Sequence, residues 1–169
     1  MSLADKKENY TFLPAVEADL PAIFKLIDDR INWMDEVGLK QWNVTKYWEC
    51  YPESYYRMRM DMGELYIMKD KKGNAVAAAA LIKDDYRWPG DKDAFHVHHL
   101  ATAIGIHGLG AIAIDFCKDI SRKYNMPYLR LDCAVGNDML NNFYKDLGFT
   151  YAGPIVDRLY TGNKLEFKL

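Results

Sequence analysis

The chain has no apolar run long enough to cross a bilayer, and its first residues lack the apolar core of a signal peptide. No cluster of lysine and arginine stands out, and the formal net charge is −2 over 169 residues. Nucleic-acid binding through phosphate neutralisation is therefore not expected, and neither is a membrane partner. Cysteine is scarce. Cys50, Cys117 and Cys133 are odd in number and show no CxxC spacing, which excludes a disulfide framework and places the chain in a reducing, cytoplasmic setting. No Gly/Ser/Pro linker, charge block or internal repeat divides the sequence. His96 and His98 stand at i and i+2 but find no third ligand at suitable spacing, so no metal site is assigned. What is present is globular: 50% hydrophobic, 27% charged and 14% aromatic residues. This composition fits one domain over residues 1–169, with 1–8 as a flexible tail.

Hydrophobic periodicity orders the elements. Residues 10–16 read as a strand. Asp19 is placed to cap a helix with Pro21 in its first turn, and Ile23, Leu26, Ile27, Ile31 and Met34 recur at helical spacing until Gly38. A second helix is expected over 53–62, strands over 64–68 and 75–82, and a polar hairpin turn over 69–74. A loop follows over 84–93, then a strand over 95–101, a helix over 108–124, a strand over 128–133 and a helix over 138–147. Strands over 150–157 and 164–169 close the chain around a turn at Thr161-Gly162-Asn163. The order β-α-α-β-β-β-α-β-α-β-β gives an α/β fold, a mixed central sheet with helices on both faces.

The segment from Leu129 to Phe149, LRLDCAVGNDMLNNFYKDLGF, carries the most information. It combines Asn137, Tyr144 and Gly148-Phe149, and lies downstream of a glycine-rich strand-to-helix loop, His99 to Gly110. Glycines let a backbone approach a ligand closely, and the free amides of a helix start suit a phosphate. Together these motifs resemble the GNAT family of N-acetyltransferases, and the element order is similar over nearly the whole chain. The resemblance implies an acyl-CoA N-acyltransferase-like fold, acetyl-CoA as co-substrate, a small amine or amino-acid-like acceptor, direct transfer in a ternary complex, and a possible homodimer. Gly105, Gly108, Leu109, Gly110 and Ala111 would then face the pyrophosphate, while Leu100 and Thr102 would pair with the pantetheine arm. Asn137 would bond the arm or cap the helix beginning at Asp138. One departure is plain: Gly105 stands where family members carry Arg or Gln, in a slightly shorter loop. A non-catalytic acyl-CoA-binding module is the rival reading that this departure motivates.

Attack of an amine on a thioester needs a base for the ammonium proton and donors for the oxyanion, and is helped by an acid for the leaving sulfur. Tyr144 matches the family's acid, although Leu140, Tyr144 and Leu147 also share a helical face and can form ordinary core. His96 stands where histone-acetylating relatives carry a glutamate base, and strand alternation puts His98 on the same face, with Val97 and His99 opposite. Water relayed to solvent is the alternative base. Cys117 and Cys133 read as core thiols rather than nucleophiles. Trp33, Gln41, Trp42, Tyr86 and Trp88 are the acceptor-pocket candidates, with Arg87 and the acids Asp84 and Asp85 near them.

Overall fold

The computed structural model describes residues 2–90 and 93–169; two residues of the loop expected over 84–93 lie outside them. A one-turn helix α1 (Leu3–Lys7) leads into strand β1 (Tyr10–Pro14). The segment expected to be a tail is thus a capped helix. Ser2 accepts from the Asp5 amide, and the Lys7 ammonium bonds Asp115 at 2.7 Å and lies over the Phe116 ring. Helix α2 (Leu20–Glu36) follows, then the short helices α3 (Tyr47–Cys50) and α4 (Glu53–Asp61). Strands β2 (Leu65–Asp70), β3 (Ala75–Ile82) and β4 (Ala94–Thr102) precede helix α5 (Leu109–Lys123). Strand β5 (Tyr128–Ala134), helix α6 (Asp138–Asp146) and strands β6 (Thr150–Asp157) and β7 (Tyr160–Lys168) complete the chain.

The seven strands form one sheet in the order β1-β2-β3-β4-β5-β7-β6. Only the β4–β5 pair is parallel, because a helical crossover through α5 joins these strands and hairpins or longer returns join the rest. The sheet is mixed, with α2 to α4 on one face and α5 and α6 on the other. Strand β3 shows why this works. Its run Ala77-Ala78-Ala79-Ala80 is buried on both faces, Ala77 and Ala79 toward α5 and Ala78 toward α2. Small side chains let the helices approach closely. On the α2 side Leu20, Ile23 and Ile27 are fully buried, each contributing about 1.5–3 kcal/mol by leaving water.

Two local expectations are corrected. Asp19 sits at the cap position, but its carboxylate accepts from the Val16 amide at 3.0 Å and from Lys69 at 2.6 Å, not from α2. The last turn lies at Arg158-Leu159 rather than at Thr161-Gly162-Asn163. Those three residues are paired within β7, Gly162 opposite Ala134 and Asn163 opposite Cys133. Gly148 does end α6, at φ +90° with the Phe149 amide bonded to the Tyr144 carbonyl. Among the described residues, no helix is long and apolar enough to cross a membrane.

Candidate active site

The site begins with one extra residue in β4. His98 pairs with Ala80 and Ala101 with Ala78, so two residues of β4, His99 and Leu100, oppose the single Ala79. This is a β-bulge, and His99 takes φ +56° to make it. A bulge bends its strand and sharpens the twist. Pairing between β4 and β5 accordingly runs from Ala94↔Tyr128 to Val97↔Leu131 and stops there. Beyond that point the two strands diverge around a cleft of about 740 Å³.

At one end of the cleft, β4 runs through the loop 103–108 into α5. Gly105 (φ +83°) and Gly108 (φ +87°) adopt the left-handed region with open space around them. The first α5 bond recorded runs from the Ile112 amide to the Gly108 carbonyl, leaving the amides of Leu109, Gly110 and Ala111 without a partner inside the helix. Leu100, Thr102, Gly105, Gly108, Leu109 and Gly110 line the cleft, whereas the Ala111 side chain does not. Gly110 has a second reason to be glycine, since a Cβ there would meet the Phe143 ring at 3.3 Å. Asn137 holds both ends of its side chain. Its Oδ1 accepts from the Leu140 amide at 3.0 Å as the cap of α6, and its Nδ2 donates to Gln41 Oε1 at 3.0 Å. The loop after α2 is thereby tied across the cleft.

The other end holds a buried polar network. His98 Nε2–H donates to Asp85 Oδ2 at 2.7 Å, and Arg87 Nη1 points at His98 Nδ1 from 3.5 Å. Both partners favour the ring arrangement with a proton on Nε2 and the lone pair on Nδ1. Burial, the largest single influence, would raise the Asp85 carboxyl, but the bond from His98, the nearby His98 and His96 rings and the Arg87 amide together outweigh it and bring the group down to about 2. Arg87 lies between carboxylates, donating to Asp157 at 2.9 Å and to Asp132 at 3.3 Å, with the Tyr51 hydroxyl at 3.0 Å. Tyr86 also donates to Asp157. Tyr144 lines the cleft between these ends. Its ring packs against Phe143 and Phe149, and no bond to its hydroxyl is seen among the described residues. Burial, reinforced by Cys133 and Asp132, holds the phenol well above its ordinary range, so it is protonated at neutral pH. Burial pushes the Cys117 and Cys133 thiols up to about 12, which leaves neither as a thiolate nucleophile.

The structure separates the histidines differently from simple alternation. His96 is fully buried outside the cleft. Its Nδ1 lies 3.2 Å from the Ile82 carbonyl, its Nε2 has no partner among the described residues, and burial lowers its pKa. It is an interior histidine packed against Trp88, so it is not placed to meet an ammonium. Trp88 is corrected with it. The indole is buried between Arg130 and Lys164, at 4.4 and 4.6 Å, rather than facing the acceptor. Trp33, Gln41, Trp42 and Tyr86 do line the cleft. The bulge brings His99, expected on the opposite face, to the same side as His98. There Nδ1 meets the Tyr47 hydroxyl at 2.6 Å and Nε2 the Tyr55 hydroxyl at 3.1 Å. Asp132, Asp157 and His99 were not legible as site residues. The one signal was a polar His98-His99 pair inside an otherwise apolar strand, which breaks the period of two.

The sequence model of the acetyltransferase (GNAT) family matches residues 27–149. The chain belongs to this family. As a GNAT member it is an N-acetyltransferase. It is 23% identical over 150 residues to YesJ, an uncharacterised N-acetyltransferase of Bacillus subtilis, covering 83% of this chain and 81% of the relative. Solved GNAT structures share the fold. The protein from Listeria monocytogenes superposes with a TM-score of 0.78 at 22% identity, and that from Streptococcus agalactiae with 0.77 at 17%, each covering 95% of both chains. Spermidine N-acetyltransferase from Vibrio cholerae, solved with CoA and spermine, gives 0.68 at 17% identity over 95% of this chain and 96% of that one. Among the described residues, no group of three or more His, Cys, Asp or Glu could hold a metal ion.

Proposed function

We propose that this GNAT enzyme transfers the acetyl group of acetyl-CoA to a small amine in a ternary complex, with His98 as base and Tyr144 as acid. The observation that carries the reading is the cleft opened where β4 leaves β5 at Val97↔Leu131, with a phosphate-ready helix start at one end and the Asp85–His98 pair at the other. The pantetheine arm adds to the open edge of β4, and the amides of Leu109, Gly110 and Ala111 receive the pyrophosphate. The unpaired β4 amides beyond Val97 donate to the thioester oxygen as charge develops there. The acceptor ammonium displaces Arg87 Nη1 from His98 Nδ1, which takes its proton, and Asp85 stabilises the resulting imidazolium. The amine forms the C–N bond, the C–S bond breaks, the Tyr144 hydroxyl gives its proton to the leaving sulfur, and the second proton shed by the acylated nitrogen restores the Tyr144 phenol through water.

The charges around the cleft narrow the acceptor. Its lining carries Arg30, Arg87 and Arg158 against Asp132 and Asp157. Both carboxylates already face Arg87, so no surplus of negative charge awaits a polycation. A single ammonium on a compact apolar body, set against Trp42, Tyr51 and Tyr86, suits this pocket better than the spermine bound by the Vibrio enzyme. A cytoplasmic location, with three free thiols, belongs to the same proposal. So does self-association through edge strand β6, which exposes Tyr151 and Val156. The test is release of CoA thiol from acetyl-CoA across a panel of monoamines, amino acids and polyamines. Saturable turnover with a monoamine supports the reading. Acetyl-CoA binding with no turnover on the whole panel would leave a binding module instead.

A further inference from the structure

We propose that Arg30 is a phosphate anchor of the acyl-CoA site, an inference that rests on the acetyl-CoA reading above. Arg30 lies on α2, far in sequence from the glycine loop, yet its guanidinium reaches the end of β4. Nη2 donates to both the carbonyl and the hydroxyl of Thr102, at 2.7 Å each. The direction of that carbonyl places the guanidinium. The Ala103 amide donates to Val76 in β3 at 2.8 Å, and the chain has no cis peptide among the described residues. Across the trans Thr102–Ala103 peptide, the Thr102 carbonyl therefore points away from β3, toward the open side of β4. The guanidinium that meets it stands in the cleft, beside the loop 103–108 and the free amides of α5.

Its charge is the one left over. Arg87 is neutralised by Asp132 and Asp157, and Arg158 lies beside Asp157. Arg30 has no carboxylate partner among the described residues; besides bonding Thr102 it lies over the Trp33 ring, 4.9 Å away. A half-buried cation without a counter-charge bears a desolvation cost that a bound anion relieves. Nη2 makes both Thr102 bonds, so Nη1 and Nε remain as single donors, and the two-pronged forks that suit phosphate oxygens, both of which include Nη2, open once Thr102 is released. The loop 103–108 contributes no Lys or Arg of its own. A cation delivered from α2 thus supplies charge at the place where the loop carries Gly105. When the pantetheine arm pairs with β4, it takes over the Thr102 carbonyl and frees the guanidinium to turn toward the phosphates.

The test is calorimetric titration of wild type, Arg30→Gln and Arg30→Lys with CoA, with pantetheine (no phosphate) measured by competition against CoA. Arg30→Gln should bind CoA about tenfold or more weakly, as expected for loss of a charge-assisted bond, and should leave pantetheine affinity unchanged. Arg30→Lys, which keeps the charge, should retain most of the CoA affinity. The gap between wild type and Arg30→Gln should narrow in about 0.5 M salt, where exposed charges are screened. Equal loss of CoA and pantetheine affinity would make Arg30 a tie between α2 and β4 and overturn the proposal, as would unchanged CoA affinity. A wild type that binds no CoA would instead overturn the acetyl-CoA reading on which it rests.

Discussion

Replacing Asp85 should affect catalysis in two separable ways. Asp85 Oδ2 accepts from His98 Nε2–H at 2.7 Å, while Oδ1 accepts from the Arg87 amide at 2.9 Å. When His98 takes a proton, its bond to the ionised Asp85 becomes one between opposite charges, a gain of roughly 1.5–3 kcal/mol. At about 1.36 kcal/mol per tenfold, Asp85→Ala should lower kcat/KM by roughly 10- to 100-fold. Asp85→Asn should do worse although it is nearly isosteric. The Arg87 amide holds the asparagine carbonyl in place of Oδ1, so the NH₂ group faces Nε2. The imidazole must then accept at Nε2 and carry its proton on Nδ1, the atom that has to act as base. A tautomer forced the wrong way adds to the lost charge, and its cost in a serine protease triad reaches about 10⁴-fold. The assay is thiol release from acetyl-CoA over a pH series, with CoA affinity measured in parallel to show that both variants keep the cofactor end intact. Wild-type kcat/KM in both variants, or Asp85→Asn outperforming Asp85→Ala, would refute His98 as a base positioned by Asp85.

Tyr144→Phe keeps the packing against Phe143 and Phe149 and should lower kcat by about 10²-fold, the low end for a general acid, with little change in CoA affinity by titration. His99 is buried and hemmed by positive neighbours, and His96 is buried, so both have folded pKa values below the ordinary histidine value of about 6.5. The unfolded chain therefore binds more protons as pH falls below about 6.5, and urea midpoints should hold steady above that pH and decline below it, with a second loss from about 4 toward 2 as Asp85 protonates. Deleting His99 leaves Leu100 alone opposite Ala79, restoring regular β3–β4 pairing and letting β4 run further along β5. The deleted chain should fold but lose CoA binding, whereas His99→Gly, which keeps the bulge, should retain it; CoA binding by the deletion equal to wild type would separate the cleft from the bulge.

The element order was legible because its signals are local and periodic. The stripe on α2 and the apolar run of β3 sort buried faces without knowledge of their partners, and the glycines at 38, 63, 108 and 148 end or open helices at positive φ. Tyr144, Asn137 and the glycine loop, which the structure places along the cleft, stood out because their spacing forms a motif within the stretch from β4 to α6. The polar pairs across the cleft were not legible. Arg87 meets carboxylates 45 and 70 residues downstream, and Arg30 meets Thr102 72 residues away; a single sequence carries no trace of pairs at such separations. The turn at Arg158-Leu159 was missed for a related reason. Thr161-Gly162-Asn163 has turn composition, but its pairing with β5 outweighs local preference.

The histidines show how one residue of irregularity defeats a correct local rule. Alternation holds up to His98, which is why His96 and His98 do share a face. It fails at His99, where the extra residue keeps two successive side chains on the α2 side of the sheet. The cost is a non-glycine residue at φ +56°, a strained conformation worth on the order of 1–3 kcal/mol. Two tyrosine hydroxyls on the His99 ring offset it, at 2.6 and 3.1 Å. In return, β4 turns away from β5 at the point where the proposed reaction needs an open edge at His98 for the acceptor and at Thr102 for the acyl carrier. The aromatic residues of α3 and α4 therefore support the cleft from a distance: by bonding the His99 ring they offset the strain of the bulge at which β4 leaves β5.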